Sequence, residues 1–184
     1  NTSTVQVPPS VSVLGAFSFN DAVAFPWFAP AGFARGSISA NATAVRLNED
    51  NIDDLNDKRI NPIVSFPNSQ GPVVFGQRTL QTAATALDRV NVRRLLIDLR
   101  RSVKQVAQQL IFEPNRESTL QRFTALVTPI MKRVQQNQGI DRFKVVIDSS
   151  TTTQADIENN TVRGKIFLQP TRAVEFVALD FVVT

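Results

Sequence analysis

Arg89-Val-Asn-Val-Arg-Arg-Leu-Leu-Ile-Asp-Leu-Arg-Arg-Ser-Val-Lys-Gln-Val-Ala-Gln-Gln-Leu-Ile-Phe-Glu-Pro-Asn115 is the stretch whose periodicity decides the fold class. Val92, Leu95, Leu96, Leu99, Val103, Val106 and Leu110 recur every three or four positions, which predicts a helix over residues 91–111 with one apolar face. The opposite side gathers Arg93, Arg94, Arg100, Arg101 and Lys104, with Ile97 exposed among them. Phe112-Glu-Pro114 stops this helix, because the residue before proline is pushed out of helical space. Asn115 is then the expected cap of a second helix whose apolar face is Leu120, Phe123, Val127, Ile130, Met131 and Val134. Pro129 is expected to kink or split it, and Gly139 to end it.

Downstream the periodicity changes to that of strands. Residues 143–147 read as a strand, and 151–160 as a polar connection with one helical turn at 154–158. Residues 161–168 alternate imperfectly, which predicts a strand covered on both faces. Residues 173–183 read as a long final strand. Upstream, Pro8-Pro9-Ser10 opens an apolar helix through residue 24. Residues 25–32 hold two prolines and a glycine, and so predict a loop packed onto the body. Residues 42–47 suggest a short strand, and 48–59 a short helix capped by Asn48. Residues 61–66 and 72–75 suggest a hairpin. Two long helices followed by strands, without a βαβ rhythm, predict one α+β domain: a mainly antiparallel sheet with two long helices of the C-terminal half packed on it.

The 184 residues include no Cys, no His and no Tyr. Zero Cys removes disulfides, thiolate nucleophiles and Cys-type metal sites. Zero His removes the Ser-His-Asp triad and the commonest transition-metal ligand. What is left for catalysis is carboxylates, lysine or an activated hydroxyl, and no two carboxylates are convincingly placed, so the chain reads as a non-enzyme without a cofactor. No apolar run is long enough to span a bilayer. The start at Asn1, without Met, reads as a fragment or processed product.

The net charge of +4 is unevenly spread. Residues 89–133 hold ten basic side chains (Arg89, Arg93, Arg94, Arg100, Arg101, Lys104, Arg116, Arg122, Lys132, Arg133) against Asp98, Glu113 and Glu117, or +7, which leaves −3 elsewhere. Such a basic helix suits nucleic acid, a membrane surface, an acidic protein, or simply solvent. Nucleic-acid binding usually adds stacking aromatics or a groove-reading motif, and neither is seen on this side. An acidic protein partner explains Ile97 best, as an apolar interface centre ringed by Arg. The acidic knot Glu49, Asp50, Asp53, Asp54 and Asp57 lacks the glycine of a calcium loop and reads as a solvated helix face.

Several of these stretches, in order, resemble one family: the contractile tail sheath proteins of tailed phages, R-type pyocins and type VI secretion systems. Arg89-Val-Asn-Val-Arg-Arg-Leu95, Phe112-Glu-Pro-Asn115, Thr151-Thr-Thr-Gln-Ala-Asp-Ile157, residues 164–170 and Ala173-Val-Glu-Phe-Val177 are similar to the C-terminal region of that family. Val7-Pro-Pro-Ser10, Trp27 with Pro30-Ala-Gly32, Ile60-Asn-Pro62 and Val74-Phe-Gly-Gln-Arg78 resemble its upstream segments. Phe75 stands where Trp is common, Pro170-Thr-Arg-Ala173 lacks a frequent second proline, and residues 135–141 are shorter than in many members.

The resemblance implies a structural, non-enzymatic subunit of a contractile sheath. Such subunits form stacked hexameric rings around a tail tube and contract to drive it through the host envelope. It implies that residues 1–184 are the inner, tube-facing C-terminal region, with larger outer domains lying before Asn1. Self, the tube protein, and baseplate and terminator proteins are the expected partners, without nucleic acid or a membrane span. The expected location is the virion, after assembly in the host cytoplasm. The candidate tube-facing residues are Arg93, Arg94, Ile97, Arg100, Arg101, Lys104, Lys132 and Arg133. Arg93 and Arg94 have the alternative of pairing inside the subunit or with a neighbour's acidic knot. The candidates for strand exchange between subunits are Phe176, Val177, Leu179, Phe181 and Val183. A basic nucleic-acid-binding module is the alternative function.

Overall fold

The computed structural model describes residues 4–67, 69–148 and 150–175. Its elements run α1 (Pro9–Val23), α2 (Glu49–Asp57), β1 (Ile63–Ser65), β2 (Pro72–Val74), a 3₁₀ turn (Ala86–Asp88), α3 (Val90–Gln108), α4 (Glu117–Gln136), β3 (Ile140–Val146), α5 (Gln154–Glu158) and β4 (Lys165–Pro170). The class is α+β with antiparallel pairing, as expected. Among the described residues the strands form two separate two-stranded ribbons, β1–β2 and β3–β4, and not a single sheet. No described helix is long and apolar enough to cross a membrane.

The main core lies where α3, α4 and the β3–β4 ribbon meet. Leu95, Leu99 and Val106 of α3 pack with Val127, Met131 and Val134 of α4, and Ile140 closes the end. These are the apolar faces read from the 3–4 spacing. Phe143 and Val145 of β3, with Ile166 and Leu168 of β4, lay one face of the ribbon on the helices. The other face, with Arg142, Lys144, Lys165 and Phe167, is exposed. The expected strand covered on both faces is therefore covered on one.

Local chemistry explains where the helices begin and end. α3 tightens into i→i+3 bonds from Gln109 to Val106 and from Leu110 to Ala107, and stops before Phe112. Asn115 does not cap α4. It sits inside a three-residue turn closed by the Arg116 N–H on the Pro114 carbonyl, so Arg116 takes the cap position without a side-chain bond. α4 runs unbroken through Pro129. The carbonyl that loses its partner there belongs to exposed Ala125, where water can serve it. α2 is capped reciprocally by Asn48 and Asn51, which confirms the acidic knot as a helix face. The strand expected at 42–47 is absent.

The loop at 25–32 packs onto the body, as expected, and deeply. Trp27 is buried, stacks on Phe25 with ring centroids 4.8 Å apart, and joins the main core. Gly139 makes room for it: a Cβ there would lie 2.6 Å from Val134 and 3.0 Å from the indole. A second, smaller core unites Ala16 of α1 with Ile38 and Val74 beside the β1–β2 ribbon.

Candidate functional site

The N-terminal end of α3 is a junction of segments far apart in sequence. Arg89, the residue before the helix, is extended. Its guanidinium forks onto Glu175, with Nε to Oε1 at 2.7 Å and Nη2 to Oε2 at 2.8 Å. Its Nη1 reaches Asp88 at 2.9 Å. The hydrogen bonds to Glu175 are the main reason its pKa rises still further above the ordinary arginine value. Gln77 joins the same carboxylate, its Nε2 donating to Glu175 Oε1 at 3.2 Å. The Gln77 backbone carbonyl accepts from Val90 N–H, and its side-chain carbonyl accepts from Asn91 N–H. Buried Asn91 donates in turn to the Trp27 carbonyl.

One step further out, Asn61 imitates a strand partner for Arg78. It accepts the Arg78 N–H at 2.7 Å and donates to the Arg78 carbonyl at 2.8 Å. Gly76 leaves space for this, since a Cβ there would meet Asn61 Oδ1 at 2.9 Å. Four of the quoted motifs, at 60–62, 74–78, 89–95 and 173–175, thus meet at one place. Sequence reading singled out each motif but missed the Arg89–Glu175 fork. The available signal was an Arg and a Glu in two stretches that matched together.

The basic helix divides into two parts. Arg93 donates to the Leu87 carbonyl at 3.0 Å and to Gln81 Oε1 at 2.5 Å. Arg94 is directed inward: it pairs with Asp21 of α1 and lies over the Phe17 ring, 4.9 Å from its centroid. Its Nη1 and the Oδ1 of neighbouring Asn20 are buried without partners. Both arginines therefore bond inside the chain, which is the alternative left open for them. Ile97, 69% exposed, stands with exposed Arg100, Arg101 and Lys104 on the outer side of α3. None of these three bases has an ion pair among the described residues. Lys132 and Arg133 are exposed near the end of α4, between buried Met131 and Val134. The short connection makes α3 and α4 antiparallel neighbours. Lys132 and Arg133 therefore lie toward the other end of the hairpin from Arg100, Arg101 and Lys104.

The strand-exchange candidates Phe176, Val177, Leu179, Phe181 and Val183 lie outside the described residues. The described start of that segment, residues 173–175, is not in a strand.

Residues 82–184 match the model of the phage tail sheath C-terminal domain. The chain belongs to this family. The tail sheath protein of Vibrio phage KVP40 is 35% identical over 179 residues, which is 97% of this chain and 26% of that protein. The tail sheath protein of Enterobacteria phage T4 is 28% identical over 179 residues, covering 97% and 27%. Among solved structures, the anti-feeding prophage baseplate contains a chain matched with a TM-score of 0.88 at 26% identity, over 98% of this chain and 51% of that one. The helical sheath of the same particle in its contracted state is matched with a TM-score of 0.84 at 28% identity, over 97% and 51%. The tail sheath chain described here thus spans about a quarter of these curated relatives' length and about half of the solved chains.

Proposed function

We propose that these residues form the inner part of a contractile tail sheath subunit, the layer that faces the tail tube. The observation that supports the sheath part of this reading is the agreement, over 97% of the chain, with a chain of a contracted helical sheath. On this reading the rest of the subunit supplies outer domains, the protein is a structural component of the virion tail that is assembled in the host cytoplasm, and its partners are copies of itself, the tube and the baseplate. Its work is mechanical. Contraction is driven by the lower free energy of the contracted lattice, and no catalytic group is required.

The outer side of α3 fits a weak tube contact. Arg100, Arg101 and Lys104 are unpaired among the described residues, and each exposed ion pair they form is worth only about 0–1 kcal/mol. A weak contact is an advantage where the tube must be released. We assign strand exchange to residues 176–184, which follow Glu175 in the sequence. A two-stranded ribbon such as β3–β4 offers an edge to which a neighbour's strand can add.

The test is electron microscopy of the polypeptide that carries these residues, with and without residues 176–184. Tubular sheaths from the full protein and none from the truncated one are expected. Absence of tubes from the full protein overturns the sheath reading. Normal tubes from the truncated protein overturn strand exchange.

A further inference from the structure

We propose that the outer side of α1 is the seat on which the rest of the subunit packs, a segment of the same polypeptide that lies before residue 1 in the intact protein. α1 lacks the division of a surface helix into an apolar and a polar side. Only Ala16 and Asn20 are buried. Val13 adds a partly buried contact with the smaller core, and Phe17 lies beneath Arg94. Asn20 is fully buried, with its Oδ1 unpartnered. On the opposite side Val11, Leu14, Gly15, Ser18 and Ala22 fall within about 100° of the helix circumference. All five are exposed. Leu14 is 66% exposed, and a Cβ built at Gly15 would meet nothing within 4 Å. Exposed Phe19 and Val23 continue the apolar surface along one flank. The one charge on the helix, Asp21, is turned to Arg94. A helix that is apolar all round is a helix covered all round. The described chain covers one side of α1, so a second cover belongs on the other.

Chain length, connectivity and chemistry choose the occupant. This chain spans 26% of the KVP40 tail sheath protein, and the family model it matches is that of the C-terminal domain, so most of such a subunit lies on the N-terminal side. α1 is the first described element and is reached through residues 4–8, of which Val5 and Val7 are exposed. A body attached at that point meets the outer side of α1 as an intramolecular partner, at an effective concentration of millimolar order. A neighbouring copy has no such advantage. On the sheath reading, on which this proposal rests, copies shift past one another during contraction and the tube is released. Charged, exchangeable contacts such as the outer side of α3 suit those surfaces. A face without an unpaired charge suits a contact that persists, since permanent interfaces are the more apolar ones.

The experiment is to replace Leu14, and in a second protein Ser18, by the photoreactive p-benzoylphenylalanine in the intact polypeptide that carries these residues. Each protein is irradiated while dilute and unassembled, and the cross-link is mapped by mass spectrometry. The ketone inserts only into C–H bonds in van der Waals contact. A monomer-mass product joined to a peptide outside residues 1–184 is expected. A dimer-mass product, a join to a peptide within residues 1–184, residues 176–184 included, or no cross-link from either position overturns the proposal. Leu14→Ala tests the same contact without a bulky probe. Alanine is the better helix former, so α1 itself is not harmed. At a site left open to water the change is nearly silent. Under a cover it is expected to speed amide hydrogen exchange across residues 9–23 about tenfold in the intact polypeptide. Unchanged exchange overturns the proposal. Micrographs of the same polypeptide separate the two readings. Tubes without the cross-link remove the seat and leave the sheath standing, whereas the cross-link without tubes keeps the seat and removes the sheath.

Discussion

The indole Nε1 of Trp27 donates to the backbone carbonyl of Asn137 at 2.8 Å, joining positions 110 residues apart. The bond fixes the loop at 25–32 against the last turn of α4. The loop is thereby a wall of the core and not a covering over it. Gly139 is the third member of this contact, because its missing side chain is what lets the indole approach.

Trp27→Phe is expected to keep most of the packing and lose the bond, at a cost of about 1–2 kcal/mol. Trp27→Ala should cost about 3–5 kcal/mol. Gly139→Ala should cost about 1–3 kcal/mol through overpacking against Val134 and the indole. Urea titrations followed by far-ultraviolet circular dichroism measure all three. A Gly139→Ala variant as stable as the parent would contradict the tight approach.

The fork between Arg89 and Glu175 is partly shielded, with the two side chains 24% and 25% exposed. Arg89→Lys keeps the charge and loses the paired geometry, and is expected to destabilise by about 1–2 kcal/mol. A double-mutant cycle with Glu175→Gln should return a clear coupling energy. Additive single effects would show that the two residues act independently.

Asp156 accepts from Arg163 at 2.6 Å and from the Thr153 hydroxyl and N–H. These bonds, that of Arg163 first, hold its pKa down to about 2 from a reference value of 3.8. The folded value is the lower one, so the unfolded chain binds the proton more readily. The contribution is complete above about pH 4 and is lost as pH falls toward 2. Asp156→Asn should remove that segment of the acid-unfolding curve and leave the rest in place. An unchanged curve between pH 4 and 2 would count against the assignment.

The two parts of the basic helix should respond differently to substitution. Arg94→Ala breaks the pair with Asp21 and the contact over Phe17, and is expected to loosen α1 at a cost of about 1–2 kcal/mol. Glutamates at Arg100, Arg101 and Lys104 together should alter folding by only about 0.5 kcal/mol per site. Binding to tube assemblies should nevertheless weaken, and its salt dependence should reverse or vanish. Co-sedimentation at two salt concentrations reads this, and undiminished binding would free these residues of the role.

The sequence was most legible where a face repeats. The six apolar positions within α3, with Leu110 just past its end, and the six of α4 mark the core side, and Asn48 marks the start of α2. It was least legible where the decisive partner is remote. Arg94 sits on the polar side of the helical wheel, yet α1 covers it, and no periodicity within α3 reports a second helix. Asn115 has the right chemistry for a cap, but the turn that closes around it shifts the start of α4 by one residue. Pro129 was expected to kink or split α4. The helix is not split, and the carbonyl of Ala125, which proline leaves without its partner, lies on an exposed turn where water can serve it. The ribbon's bare face was hidden because Ile166 and Leu168 alternate with Phe167, whose apolar ring faces solvent.

Arg89 also has a meaning as an anchorage. A pull on the chain beyond Glu175 meets the guanidinium fork before any other side-chain contact described here. From Arg89 the load passes directly into the first turn of α3, and through Gln77 into the same turn a second time. It then runs along the axis of the helix, where backbone hydrogen bonds lie nearly parallel to the force. A load entering at Glu175 would thus reach the far end of α3 without first peeling the core apart.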